Sequence, residues 1–330
     1  MTAPILILYT GGTIGMTLGT EGWQPAAGFD ARIRQAQAMQ DKALDAPWTY
    51  VAMEPPIDSA NTTQGHWLAM RDVIVRAVSR GACSAVLILH GTDTLAYTAA
   101  ALSFLLLGLP VPVCVTGAMH PASQTDTDAW DNLFGALQWL RQAQPSGVQV
   151  FFDAKSLPGT QATKRFSDRA DAFAAMRPMH RCADTAACVP ADSTLDYRVV
   201  RKSVSLGVLP LYPGMHVSAL ESLLDTGISA LVLELYGVGT GPADDARFLD
   251  ALRQARQRGV MLVGISQCPC GVMDGGQYAA ASRILQSGVL PSGPMTREAA
   301  LGKLFGLLGA GLTADQAACW WPVNLCAEWG

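Results

Sequence analysis

At 330 residues, with half of them hydrophobic, 15% charged and a net charge of −4, the chain can bury a large core. That balance argues against disorder, and the lack of any lysine or arginine block argues against nucleic acid or anionic membrane as a partner. The length predicts about two domains. Met1–Leu8 has no charged region leading into a long apolar one, and the apolar stretch 99–109 is too short to span a bilayer, so a cytoplasmic location is expected. Several of the eight cysteines (Cys83, Cys114, Cys268) lie in or beside apolar runs, where a reduced thiol acts as a small hydrophobe. Cys268-Pro-Cys270 lacks metal spacing, so no metal site is expected.

In chain order, Ile5–Tyr9 reads as a buried strand that stops at Gly11-Gly12, a pair that allows a tight turn and close approach of another group. Thr13 follows at the carboxyl end of that strand, presented either as a reactive hydroxyl or as an ordinary loop threonine. The glycine-rich stretch 15–25 has no helical or strand periodicity and reads as a loop, a candidate mobile lid. A helix is expected over 31–44 and a short strand over 49–53, the strand ending in an irregular turn that carries Asp58 and Ser59. Helix 67–80, strand 85–89, helix 95–107, strand 111–116, helix 128–142 and strand 148–153 follow, and 157–177 reads as a polar loop. Such alternation means a mainly parallel sheet with right-handed crossovers, which brings Thr13, Asp58-Ser59, Thr92-Asp93 and Gly117-Ala118 to one rim. A second α/β pattern begins near 205: strands 205–211, 230–235 and 260–265 and helices 217–225, 244–258, 277–286, 296–308 and 313–320. The expected organisation is an α/β protein of two domains. The larger covers 1–189 with helices on both faces of its sheet, 190–205 links, and a smaller α/β domain covers 206–330.

Strand-Gly-Gly-Thr13 and strand-His-Gly-Thr92-Asp93 are two versions of one device, a hydroxyl set at a sheet rim by a glycine turn. Thr92, Asp93 or Thr94 can equally cap the helix that follows, and helix-start amides also make good anion donors. A threonine hydroxyl needs a base to become a nucleophile near pH 7. His90 is a conceivable base, or packs beneath the turn; Lys164, oriented by a carboxylate such as Asp93, is another candidate. Nucleotide-binding glycine patterns and the zinc helix motif are absent, so a cofactor-free hydrolase fits best.

Taken together, Thr10-Gly-Gly-Thr-Ile-Gly15, His90-Gly-Thr-Asp-Thr94 with Ala96-Tyr-Thr98, and Thr116-Gly-Ala-Met119 resemble the bacterial L-asparaginases, nearest to their cytoplasmic type I branch. The likeness extends through Asp58-Ser59, Asp128-Ala-Trp-Asp-Asn132, Thr163-Lys164, Tyr212-Pro-Gly214, Gly237-Val-Gly239 and Ser266-Gln-Cys268. It implies hydrolysis of L-asparagine to L-aspartate and ammonia without a cofactor, by a homodimer or homotetramer with active sites between subunits. Position by position, the resemblance implies Thr13 as nucleophile and Thr92, Asp93 and Lys164 as a proton relay. It implies Asp58 and Ser59 as holders of the substrate's amine and carboxylate, with Gly12 and Ala118 lining the substrate.

Two positions depart from the family pattern. Trp23 stands where the family has a lid tyrosine that completes the first triad, and indole cannot accept a proton from a hydroxyl. Glu234 stands where some type I enzymes carry an arginine of an allosteric asparagine site, which implies that this site is absent or altered. The alternatives are an asparagine-binding protein with weak or no turnover, motivated by Trp23, and a related glutaminase or amidotransferase-type amidase.

Overall fold

The chain opens on β1 (Ile5–Gly11), whose seven residues are all buried. An apolar strand with no polar alternation belongs inside a parallel sheet covered on both faces, and that is where it lies. The computed structural model describes residues 3–20, 22–39, 47–142, 147–175, 194–273 and 278–329. These fall into two compact units, one built on Met1–Ala175 with Asp196–Arg198 and the other on Met176–Leu195 with Val199–Gly330.

In the first unit β1 is followed by a short hairpin, β2 (Met16–Gly19) and β3 (Gly22–Pro25), then α1 (Phe29–Met39), β4 (Trp48–Ile57), α2 (Gln64–Ser79) and β5 (Ala85–Leu89). Next come α3 (Leu95–Leu105), β6 (Val113–Thr116), α4 (Ala129–Gln142), β7 (Val148–Phe152) and β8 (Lys155–Pro158). The short strands β9 (Ala162–Lys164) and β10 (Phe173–Ala175) form an antiparallel pair. The main sheet runs β4-β1-β5-β6-β7-β8, parallel except for the antiparallel edge strand β8. Strand order reverses about β1: the chain leaves it toward β4 and returns to its other side as β5. A cleft opens at such a reversal, outside the carboxyl ends of the two strands, and it is the usual binding position in open α/β sheets.

Alternation along β1 divides the core between the faces. Ile5, Ile7 and Tyr9 pack with Phe29 and Ile33 of α1 and with Leu133, Ala136, Leu137 and Leu140 of α4. Those α4 positions recur at helical spacing and make one apolar stripe. Ten of the eleven residues of α3 are buried, so it is a core helix on every side, packed on β6, β7 and β9.

The second unit holds β11 (Leu206–Pro210), α5 (Ser218–Asp225), β12 (Ala230–Leu235), α6 (Ala246–Gln257), β13 (Met261–Ser266), α7 (Ala279–Gln286), β14 (Val289–Pro291), α8 (Arg297–Gly309) and α9 (Ala314–Trp320). Its four strands are parallel in the order β11-β12-β13-β14. Both units are α/β, as the sequence pattern leads one to expect.

Two expectations need correction, and one strand was not foreseen. The stretch read as a loop is the β2–β3 hairpin, with Leu18 opposite Trp23 and Gly19 opposite Gly22. Residues 157–177, read as a polar loop, contain β9, β10 and the end of β8. Strand β14, three residues long and ending in proline, carries too little pattern to be read from sequence. Part of the helix expected over 31–44 lies outside the described residues; α1 ends at Met39.

Candidate active site

Four turns meet at the carboxyl rim of the first sheet. Gly11 and Gly12, with φ of 118° and 81°, swing the chain off β1 into a single helical turn over Thr13–Gly15. A side chain at Gly12 would fall on the Cα and amide nitrogen of Gly91, and one at Gly91 would strike the Ser59 hydroxyl. One at Gly117 would fall on the His90 carbonyl. Glycine is therefore required at these contacts: Gly12 and Gly117 lie directly on backbone, and Gly91 on the Ser59 side chain. Hydrogen bonds tie the neighbouring strand ends: Gly12 N donates to Ile57 O at 3.1 Å and the Thr10 hydroxyl donates to Leu89 O at 2.9 Å.

Thr13 is half-buried at the start of its turn, and no described residue hydrogen-bonds its hydroxyl. Ser59 is buried, while Asp58 is exposed and accepts from Ala60 N at 3.3 Å. Thr94 occupies the N-cap position of α3 but does not cap it; its hydroxyl donates to Ser59 O at 2.8 Å instead. The amide end of α3, the positive pole of its dipole, thus carries no N-cap side chain beside Thr92 and Asp93.

Lys164 comes to this rim from β9, held in place by pairing with Phe173 of β10. Its Nζ donates to Thr92 Oγ1 at 2.9 Å and to Asp93 Oδ1 at 2.7 Å. The Lys164 side chain is 19% exposed and that of Asp93 63% exposed, so the ammonium is mostly enclosed while its counter-ion reaches water. Because Thr92 Oγ1 accepts from Lys164, its own proton is free to be directed elsewhere.

His90 packs within the turn with both ring nitrogens engaged. The Gly91 carbonyl can only accept, so His90 Nδ1 carries a proton and donates to it at 2.8 Å. Its Nε2 accepts from the Thr98 hydroxyl at 3.0 Å, and Thr98 Oγ1 accepts from the Trp67 indole at 2.9 Å. Burial pushes the His90 pKa down to about 4, so the ring is neutral at pH 7 with both nitrogens engaged. It props the turn from below, one of the two roles its position allows.

A clamp that the sequence pattern does not assign a role holds the fourth turn. Asp128 accepts from the Met119 and His120 amides at 2.9 Å each, and Asn132 Nδ2 donates to Gly117 O at 3.1 Å and to Asp128 Oδ2 at 3.0 Å. Asn132 Oδ1 accepts from Asp153 N at 2.9 Å. This fixes Ala118, which is fully buried. The available signal is Asn132 itself, a polar residue on the apolar stripe of α4.

Trp23 is 41% exposed and faces Leu18, which is 70% exposed, across the hairpin. In the second unit Glu234 is buried at the end of β12 and paired with Arg297 through both carboxylate oxygens, Nη2 donating to Oε2 at 2.9 Å. Among the described residues no His/Cys/Asp/Glu cluster could hold a metal, and no helix is long and apolar enough to cross a membrane.

Comparison with known proteins agrees with this architecture. Residues 4–187 match the family model "Asparaginase, N-terminal" and residues 206–320 match "Glutaminase/Asparaginase C-terminal domain". The chain is 33% identical over 332 residues to L-asparaginase 1 of Escherichia coli, covering 98% of this chain and 97% of that one. It superposes on L-asparaginase I of Vibrio cholerae with a TM-score of 0.86 at 29% identity, covering 100% of both chains. It superposes on the thermostable L-asparaginase of Thermococcus kodakarensis with a TM-score of 0.86 at 28% identity over 99% of both. A rim of two glycine-turned threonines, a lysine bonded to one of them, and full-length agreement in both units lead to one assignment: the chain belongs to the asparaginase family of amide hydrolases.

Proposed function

We propose that this protein hydrolyses the side-chain amide of L-asparagine, giving L-aspartate and ammonia, with Thr13 as nucleophile. The observation that carries this reading is the Lys164 ammonium bonded at once to Thr92 Oγ1 and Asp93 Oδ1, at the rim where Thr13 is presented. Thr13 Oγ1 attacks the amide carbon and gives up its proton; the C–N bond breaks as nitrogen takes a proton and leaves as ammonia. Water then adds to the acyl carbon, the ester bond to Thr13 breaks, and the proton that water loses passes through the relay to the departing Thr13 oxygen, leaving aspartate. Thr92, Asp93 and Lys164 are suited to the proton traffic because they link a hydroxyl, an amine and a solvent-reaching carboxylate. The α3 amides support charge on the developing oxyanion. Asp58 and Ser59 serve the substrate's α-amino and α-carboxylate groups, and Gly12 and Ala118 let it lie against backbone.

A cytoplasmic homodimer or homotetramer belongs to the same reading. Glutamine differs from asparagine by one methylene, which a pocket discriminates by about 1–3 kcal/mol, so a lesser glutaminase activity is expected.

The second reading is an asparagine-binding protein with weak turnover. Trp23 favours it, since the hairpin offers an indole where a phenol would receive the Thr13 proton. A coupled ammonia assay on L-asparagine, D-asparagine and L-glutamine from micromolar to millimolar concentrations separates the two. Ammonia from L-asparagine, lost in both Thr13→Ala and Lys164→Ala, supports the hydrolase. Asparagine binding without ammonia, unchanged in Thr13→Ala, supports the binding protein. Trp23→Tyr raises the rate if the missing phenol limits the first step.

A further inference from the structure

The β2–β3 hairpin begins directly after the Thr13 turn, and both of its ends are tied down by side chains from elsewhere. At the entry, Arg32 on α1 donates from Nη2 to the Gly15 carbonyl at 2.7 Å. At the exit, Tyr9 on β1 donates from its hydroxyl to the Ala26 carbonyl at 3.1 Å. The two ties meet: the Tyr9 hydroxyl lies so close beneath Gly15 that any side chain there would collide with it. Gly15 closes the single turn that starts at Thr13, its amide donating to Gly12 O at 3.1 Å.

The ties rest on a stack of aromatic rings. Tyr50, Tyr9, Phe29 and Trp130 form a run of stacked rings with centroids 6.1, 5.4 and 5.9 Å apart. The Arg32 guanidinium lies over the Phe29 ring at 4.6 Å. No carboxylate forms an ion pair with Arg32 among the described residues, and its buried Nη1 has no hydrogen-bond partner. An arginine in a partly buried place without a counter-ion is costly to keep, and the contact it does make is with one carbonyl, two residues beyond Thr13. A stacked, planar guanidinium holds such a carbonyl in a fixed direction better than a flexible ammonium would.

We propose that Arg32 is a positioning residue which, through the Gly15 carbonyl and together with Tyr9, sets the direction of the Thr13 hydroxyl and fixes the base of the hairpin. This rests on the reading of Thr13 as nucleophile. The bond to the Gly15 carbonyl acts directly on the Thr13 turn, whereas the Tyr9 bond to Ala26 acts mainly on the far strand, so the two residues have effects of different size.

The test compares wild type with Arg32→Gln, Arg32→Lys and Tyr9→Phe by steady-state ammonia release from L-asparagine, thermal melting and amide hydrogen exchange of the segment 13–26. A misdirected nucleophile costs up to about 10²-fold. Arg32→Gln is expected to lower kcat about 10- to 100-fold with KM within about 3-fold, and to speed hairpin exchange about 10-fold while β5 amides keep their wild-type rates. Arg32→Lys, which keeps one donor for Gly15 O, recovers part of kcat. Tyr9→Phe speeds exchange mainly on the Ala26 side, with a smaller loss in kcat. Wild-type kcat and wild-type hairpin exchange in Arg32→Gln overturn the proposal. So does a loss of kcat in which exchange rises equally across the whole sheet, because that marks general destabilisation. Should the wild type release no ammonia, the functional reading fails while the exchange measurements still decide whether Arg32 holds the hairpin.

Discussion

Two lysine–carboxylate pairs of equal length, both 2.7 Å, serve opposite ends. Lys303 and Glu328 in the second unit are both wholly buried. Lys303 uses all three protons, on Trp321 O at 2.8 Å, Val323 O at 2.6 Å and Glu328 Oε1 at 2.7 Å, and Glu328 also accepts from the Leu325 and Cys326 amides. Burial still drives the Lys303 pKa down, with Glu328 opposing. Lys164 sits at a rim, and its partner Asp93 is open to water. Distance does not distinguish the pairs. Saturation and solvent access do: a saturated pair can only hold chain segments together, whereas a pair with a hydroxyl partner and an exit to water can pass protons.

The strongest way to break this contrast is to remove one cation from each pair. Lys303→Met strands a buried carboxylate and is expected to cost about 3–5 kcal/mol of unfolding free energy, read by urea denaturation; Lys303→Met with Glu328→Leu recovers most of it. Lys164→Met is expected to lower kcat about 10²- to 10⁴-fold while changing stability by less than about 1 kcal/mol. Equal stability losses in the two variants would erase the distinction.

His90 sharpens the comparison as a buried group held neutral. Its folded pKa, about 4, lies below the ordinary 6.5, so between these values the unfolded chain binds the extra proton. The contribution is complete above pH 6.5 and is lost progressively as pH falls toward 4, on the order of 3 kcal/mol in all. His90→Gln flattens that part of the stability–pH curve, measured by denaturation at stepped pH. The smallest effect is expected at Tyr50, whose buried hydroxyl has no hydrogen-bond partner among the described residues. Tyr50→Phe changes stability by under about 0.5 kcal/mol or raises it, because no bond is lost.

The parallel strands were legible because runs such as Ala85–Leu89 and Ala230–Leu235 have no polar alternation, which only a doubly covered strand tolerates. Parallel topology then carries the turns after β1, β4, β5 and β6 to one rim without any knowledge of contacts. The hairpin was hidden because each arm is four residues long and the facing pair at its tip is Gly19 and Gly22. Lys164 could be named but not placed by spacing, since a three-residue strand brings it to Thr92 from 72 positions away. Asn132 stands in a motif of the family resemblance but its role was not legible, and Arg32 was invisible as a partner, because each acts on a backbone carbonyl, which no residue pattern marks.

The contact of Gly12 with Gly91, and of Gly91 with Ser59, bears on how the substrate range of this chain could be altered. Gly12 lies with its backbone on the backbone of Gly91, and Gly91 lies on the Ser59 side chain, so neither glycine leaves volume for a side chain in any selected library. Diversifying Gly12 and Gly91 is expected to yield clones that fail to fold or act, whatever substrate is screened. Variation that changes preference between amides of different length has to enter through the walls, at Asp58 and along the hairpin around Trp23, where exposed side chains leave room for exchange.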